Sequence, residues 1–134
     1  MKQKTLKRLV CVLLVMAVLT SGVTVAAADI MPYYDATSRI TASLTISSSG
    51  RADCEGTILL SDSDCYANLT LQLQRYTSKG WSPVYTWTAS DDTIVYGSRY
   101  VTSGYYYRVI CNANVYTSSG TYVESPSATH TVYY

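Results

Sequence analysis

The side chains of this sequence that could do chemistry are Cys54, Cys65 and Cys111, the aspartate pairs Asp62/Asp64 and Asp91/Asp92, a single histidine at 130, and a large set of aromatic rings. A thiol nucleophile needs a base within hydrogen-bond reach, and His130 is the one base of the right kind, with nothing in the sequence to set it beside a cysteine. Brought to one pole, the four aspartates could offer oxygen ligands to calcium, which takes about six to eight, but their spacing is not that of a ligand loop. As turn residues that bond to their own backbone they need no metal. A glycosidase pair requires two carboxylates across a cleft, which so short a chain has little room to build. The expectation is a non-enzyme with no catalytic, metal or cofactor site. Asn68-Leu69-Thr70 matches the glycosylation triplet and is read as an ordinary outward position.

Fourteen tyrosines and two tryptophans stand against no phenylalanine. A core built from aliphatic residues leaves many of these rings at the surface or rim, where an amphipathic ring suits a half-wet binding face. Trp81, Tyr85, Trp87, Tyr105 and Tyr106 are the candidate binding residues. Their expected partner is an extracellular protein or a cell-surface glycan, held by ring stacking and hydroxyl bonds. The competing reading is that tyrosine replaces phenylalanine in packing and in cross-strand pairs.

The compartment follows from the first 28 residues. Lys2, Lys4, Lys7 and Arg8 precede the apolar run from Leu9 to Leu19, and Ala26-Ala27-Ala28 supplies the small residues that signal peptidase accepts. The run is shorter than the roughly 20 residues that cross a bilayer. Residues 1–28 are read as a secretory signal cut after Ala28, with Ala27 as the alternative, and the product is expected to be released outside the cell, uninserted in the membrane. Cys11 lies at the start of the apolar run, where a lipoprotein cysteine would follow it. Removal of four basic residues with the signal leaves 106 residues carrying six basic and nine acidic side chains, a formal charge of −3. Such a balance, with no run of Lys or Arg, argues against nucleic acid or an anionic membrane as partner.

Apolar residues alternate with polar ones at period two almost throughout the remainder, so strands are expected and helix is nearly absent. After an extension at 29–38, Ile40, Ala42, Leu44 and Ile46 share one face, and so do Ala52, Cys54, Gly56, Ile58 and Leu60 beyond the turn Ser48-Ser49-Gly50. Ala67, Leu69, Leu71 and Leu73 form the clearest inward set and lead through Ser78-Lys79-Gly80 into a return arm from Trp81 to Thr88, where Pro83 marks a sheet edge. A segment from Thr93 to Val101 and another from Tyr105 to Tyr116 follow, the latter with Tyr107, Val109, Cys111, Ala113 and Val115 on one face. A last strand is interrupted near Pro126. Seven short antiparallel strands in residues 39–134 predict a single all-β sandwich, immunoglobulin-like or fibronectin III-like.

Leu71-Gln72-Leu73-Gln74-Arg75, Gly80-Trp81, Trp87, Gly104-Tyr105-Tyr106-Tyr107-Arg108-Val109 and Val123-Glu124-Ser125 together resemble a family of small secreted proteins of Gram-positive bacteria that has no assigned function. The resemblance covers most of the chain after the signal, and it implies fold and compartment only. Tyr107 after Gly104 also resembles the tyrosine corner of β-sandwiches, in which the hydroxyl bonds back to nearby backbone. Three cysteines in an oxidising compartment allow one bridge. Cys54 with Cys111 is the expected pair, since both fall in inward phases of the second and sixth strands, the positions that immunoglobulin domains bridge. Cys54 with Cys65 is the alternative. Two functional classes are carried forward: a monomeric binding or adhesion module, and a structural protein that self-associates by pairing strand edges, including the C-terminal Thr131-Val132-Tyr133-Tyr134.

Overall fold

The computed structural model describes residues 34–134, and the secretory signal read in residues 1–28 lies outside them. The described residues form eight strands and no helix: β1 (Thr37–Ile46), β2 (Arg51–Leu60), β3 (Cys65–Thr77), β4 (Gly80–Ser90), β5 (Ile94–Tyr100), β6 (Tyr106–Thr117), β7 (Tyr122–Glu124) and β8 (Ser127–Tyr133). They make two antiparallel sheets, β1-β2-β5 and β4-β3-β6 with β7 and β8 both beside β6. The immunoglobulin constant arrangement puts the fourth strand with the first, second and fifth. Here β4 pairs with β3 instead, so the β-sandwich departs from that constant arrangement.

Eight strands stand where seven were expected because the final segment divides at Pro126. Proline lacks the N–H that a continuous ladder would need, and its carbonyl accepts a bond from Ala113 N–H at 3.0 Å. Both halves remain beside β6, so they fill one strand position. Pro83 lies in β4 at the edge of the larger sheet, where the register with β3 shifts between Leu73 and Gln74. A bulge there lets an edge strand carry a proline without breaking the sheet.

The period-two pattern reads directly as burial. Leu44, Ala52, Cys54, Ile58 and Val95 face inward from the smaller sheet, and Ala67, Leu69, Leu71, Leu73, Val109, Cys111, Ala113 and Val115 from the larger. Tyr107 is the one aromatic residue in this core, 1% exposed, and its hydroxyl donates to the Thr102 carbonyl at 2.6 Å. This is the bond of a tyrosine corner. Elsewhere the core is small and aliphatic, which leaves most rings outside it.

The expected Cys54–Cys111 bridge is corrected: Cys54, Cys65 and Cys111 are all free thiols. Both Cys54 and Cys111 do face the core, but Cys111 seats over Gly56, where an added Cβ would meet its Sγ and, at 2.9 Å, its Cβ. Gly56 lies two residues from Cys54, about 6.6 Å along β2. The thiols are thus offset by one inward position, too far for Cβ atoms that a disulfide holds about 4 Å apart.

Candidate functional site

Strand registry settles where each candidate ring goes. In β4, Trp81 pairs with Tyr76, whereas Tyr85 and Trp87 pair with the inward residues Leu73 and Leu71. The bulge between these segments puts Trp81 on the solvent face of the larger sheet and Tyr85 and Trp87 on its inner side. Five candidates therefore do not form one patch. Trp87 covers Gly97 of β5, whose missing side chain makes room for the indole. Tyr85 packs against Trp87 with centroids 4.9 Å apart and planes tilted by 58°, and carries the Arg99 guanidinium 3.8 Å from its own centroid. These two rings close the seam between the sheets, a packing role. Tyr105 lies at the end of the sandwich beneath Arg75, edge-on to Tyr107, with its backbone paired to Tyr134.

Trp81 and Tyr106 belong to a different feature. Tyr106 pairs with Tyr133 across β6 and β8, and extending the β3–β6 register one step beyond Arg75 and Tyr107 puts Tyr106 opposite Tyr76. The order Trp81, Tyr76, Tyr106, Tyr133 thus crosses β4, β3, β6 and β8 as one aromatic row, about 14 Å wide at the usual strand spacing. Its cross-strand pairs are edge-to-face, with centroids 5.1 Å apart for Tyr76 and Trp81 and 4.9 Å for Tyr106 and Tyr133. Tyr76, Tyr106 and Tyr133 are at least half exposed. Tyr76 and Tyr133 were not singled out from the sequence as binding residues. The signal that could have found them is the outward phase they share with Gln74 and Thr131.

Beside this row stands Arg108. It reaches from β6 across β3 to lie 4.3 Å from the Trp81 ring centroid, and its Nε donates to Gln74 Oε1 at 2.7 Å. Gln74 in turn donates to Gln72, and Gln72 to Thr86. Two further rows continue along the face, Thr86, Gln72, Ile110 and Thr129 and then the wholly amide and hydroxyl row Thr88, Thr70, Asn112 and Ser127. A second aromatic cluster, Tyr66, Tyr116 and Tyr122, occupies the other end of the same sheet.

The remaining candidates serve the fold. Asp62 Oδ1 accepts from Asp64 N–H, and Asp92 Oδ1 from Thr93 and Ile94 N–H, so these carboxylates hold turns. Among the described residues no group of three or more His, Cys, Asp or Glu comes together as a metal site would require. His130 Nδ1 accepts the Leu44 N–H at 3.0 Å and so caps the open edge of β1. Burial, aided by Asp53, pushes the Cys54 thiol up to about 12, and burial pushes Cys111 up to about 11. Desolvation and then the neighbouring carboxylates, Asp62 first, raise Cys65 as well. Raised thiols are poor nucleophiles. Two depressions, each about 420 Å³, are open to solvent: one on the outer face of the smaller sheet around Asp53, Glu55 and Tyr96, the other at the pole around Asp64, Cys65 and Asp91.

No protein-family model matches the chain, and neither a curated protein nor a solved structure was found to be similar to it. The likeness to small secreted Gram-positive proteins rests on the residues quoted for it alone.

Proposed function

We propose that this is a secreted, non-catalytic binding module whose outer face on the larger sheet takes an extracellular protein or a cell-surface glycan. The observation that supports this most is the aromatic row at the solvent side of one sheet, in which Tyr76, Tyr106 and Tyr133 are exposed beside a half-buried Trp81. Surface aromatics of this density are not needed for packing here, since the core is filled by aliphatic residues. They lose little conformational freedom when covered and offer both ring faces and hydroxyls. The raised thiols and the turn-bound carboxylates favour binding without turnover.

The self-association reading by edge pairing has less support. The edge of β1 is capped by His130, the edge of β4 carries Pro83 and a bulge, and β7 is three residues long and ends before Pro126. Each of these is a device that discourages strand addition.

The test is retention of purified protein on whole cells, peptidoglycan and common polysaccharides, comparing Trp81→Ala with Trp87→Ala. Saturable retention that Trp81→Ala weakens by about tenfold, a loss of one well-placed ring, while folded Trp87→Ala keeps it, is the expected result. Equal retention by wild type and Trp81→Ala would remove Trp81 from the binding face.

A further inference from the structure

We propose that Arg108 and the aromatic row beside it form a subsite for an acidic polysaccharide, with the guanidinium taking the carboxylate of a uronate-type sugar and Tyr76, Tyr106 and Tyr133 lying against the chain of rings. The inference rests on the binding-module reading and narrows its ligand. A guanidinium carries five N–H donors in a planar fork. Among the described residues only Nε of Arg108 is used, by Gln74, so no described partner takes the terminal Nη donors. The side chain is nonetheless held in place, by the Gln74, Gln72 and Thr86 relay on one side and by the Trp81 ring underneath. A fork that is already oriented loses little entropy when it binds a planar carboxylate through two parallel bonds.

The charge distribution points to an anion as well. Among the described residues no carboxylate lies within ion-pair distance of Arg108, whereas Arg51 has Asp53 at 2.9 Å. The acidic side chains of the described residues lie elsewhere: Asp53 and Glu55 are on the other sheet, and Asp35, Asp62, Asp64, Asp91, Asp92 and Glu124 are at the far end of the sandwich. Among the described residues, an anion approaching Arg108 therefore meets no Asp or Glu side chain on this part of the face. One guanidinium balances one negative charge, which suits a carboxylate on each sugar. The surrounding hydroxyl, amide and phenol groups suit the sugar hydroxyls.

Binding of purified protein to alginate, with neutral dextran and dextran sulfate as comparison polymers, tests this by titration calorimetry. The expected result is that wild type binds alginate more tightly than dextran, that Arg108→Gln weakens alginate binding by about tenfold, and that Arg108→Lys recovers only part because it lacks the fork. Arg99→Gln, which alters an arginine of β5 in the smaller sheet that packs over Tyr85, should bind as wild type; an equal loss there would mean unspecific charge attraction and overturn the subsite. Alginate bound no better than dextran, or Arg108→Gln bound as wild type with an unchanged melting curve, would also overturn it. Preference for dextran sulfate would replace the carboxylate by a tetrahedral oxyanion and refute the uronate assignment. Retention on cells or neutral glycans that depends on Trp81 but not on Arg108 would leave the binding module standing while this subsite falls.

Discussion

At the scale of single residues, Tyr107 and the cysteines show two degrees of legibility. Tyr107 was readable because a tyrosine corner is local: the glycine before it and the alternation around it place its hydroxyl within reach of the Thr102 carbonyl. The cysteine bridge was not, because inward phase gives the side of the strand and not the position along it. Cys54 and Cys111 have the right phase, and Gly56 rather than Cys54 takes the place opposite Cys111. The free buried thiols carry a pH signature. Their pKa values rise from 9.0 in the open chain to about 12 for Cys54 and about 11 for Cys111 in the fold. Below pH 9 both states hold the protons and stability does not depend on them. Above it the unfolded chain releases protons that the fold retains, so stability falls until the folded thiols ionise too. Urea unfolding between pH 8 and 11 should therefore show a steeper loss for wild type than for a Cys54→Ala/Cys111→Ala variant, with tyrosine ionisation common to both. Parallel losses would place these thiols in contact with water, and a stability change on adding reductant would point to a disulfide after all.

At the scale of elements, alternation gave the strands and their inward sets with few errors, because a half-buried strand exposes its periodicity in sequence. The misreadings arose where one strand departs from regularity. In β4 the bulge near Pro83 reverses the phase between Trp81 and Tyr85, so rings that look clustered in sequence face opposite sides of the sheet. Pro83 signals an edge, but alternation alone does not tell which residue is the extra one. Glycines supplied the other hidden information. Gly97 and Gly56 are interior strand positions where a side chain from the facing sheet comes in close, Trp87 on the first and Cys111 on the second. Gly56→Ala is expected to cost about 1–3 kcal/mol by overpacking, with part recovered when Cys111→Ala is combined with it. Chemical denaturation of the two single variants and the double variant measures this coupling. Additive effects would show that Gly56 and Cys111 do not share the same space.

At the scale of the whole molecule, composition announced that rings would be left outside the core and could not say where. Among the described residues Tyr107 is the one fully buried tyrosine, and the others are half-buried or exposed. The fold then distributes them unequally, and only the larger sheet has a row that spans four strands. Charge is likewise sorted by folding. A chain without basic runs in sequence comes to hold Arg75, Lys79, Arg99 and Arg108 toward one end and most carboxylates toward the other, because residues far apart in sequence become neighbours across strands. The smaller sheet also exposes Tyr96 and Tyr100, at 73% and 76%, beside Asp53 and Glu55, so it offers an internal comparison. The most direct measurement is retention on cells and wall polysaccharide of Tyr106→Ser/Tyr133→Ser beside Tyr96→Ser/Tyr100→Ser, both checked for native circular dichroism. The first variant is expected to lose retention and the second to keep it; loss in the second alone would move the binding face to the other sheet and overturn the assignment to the larger one.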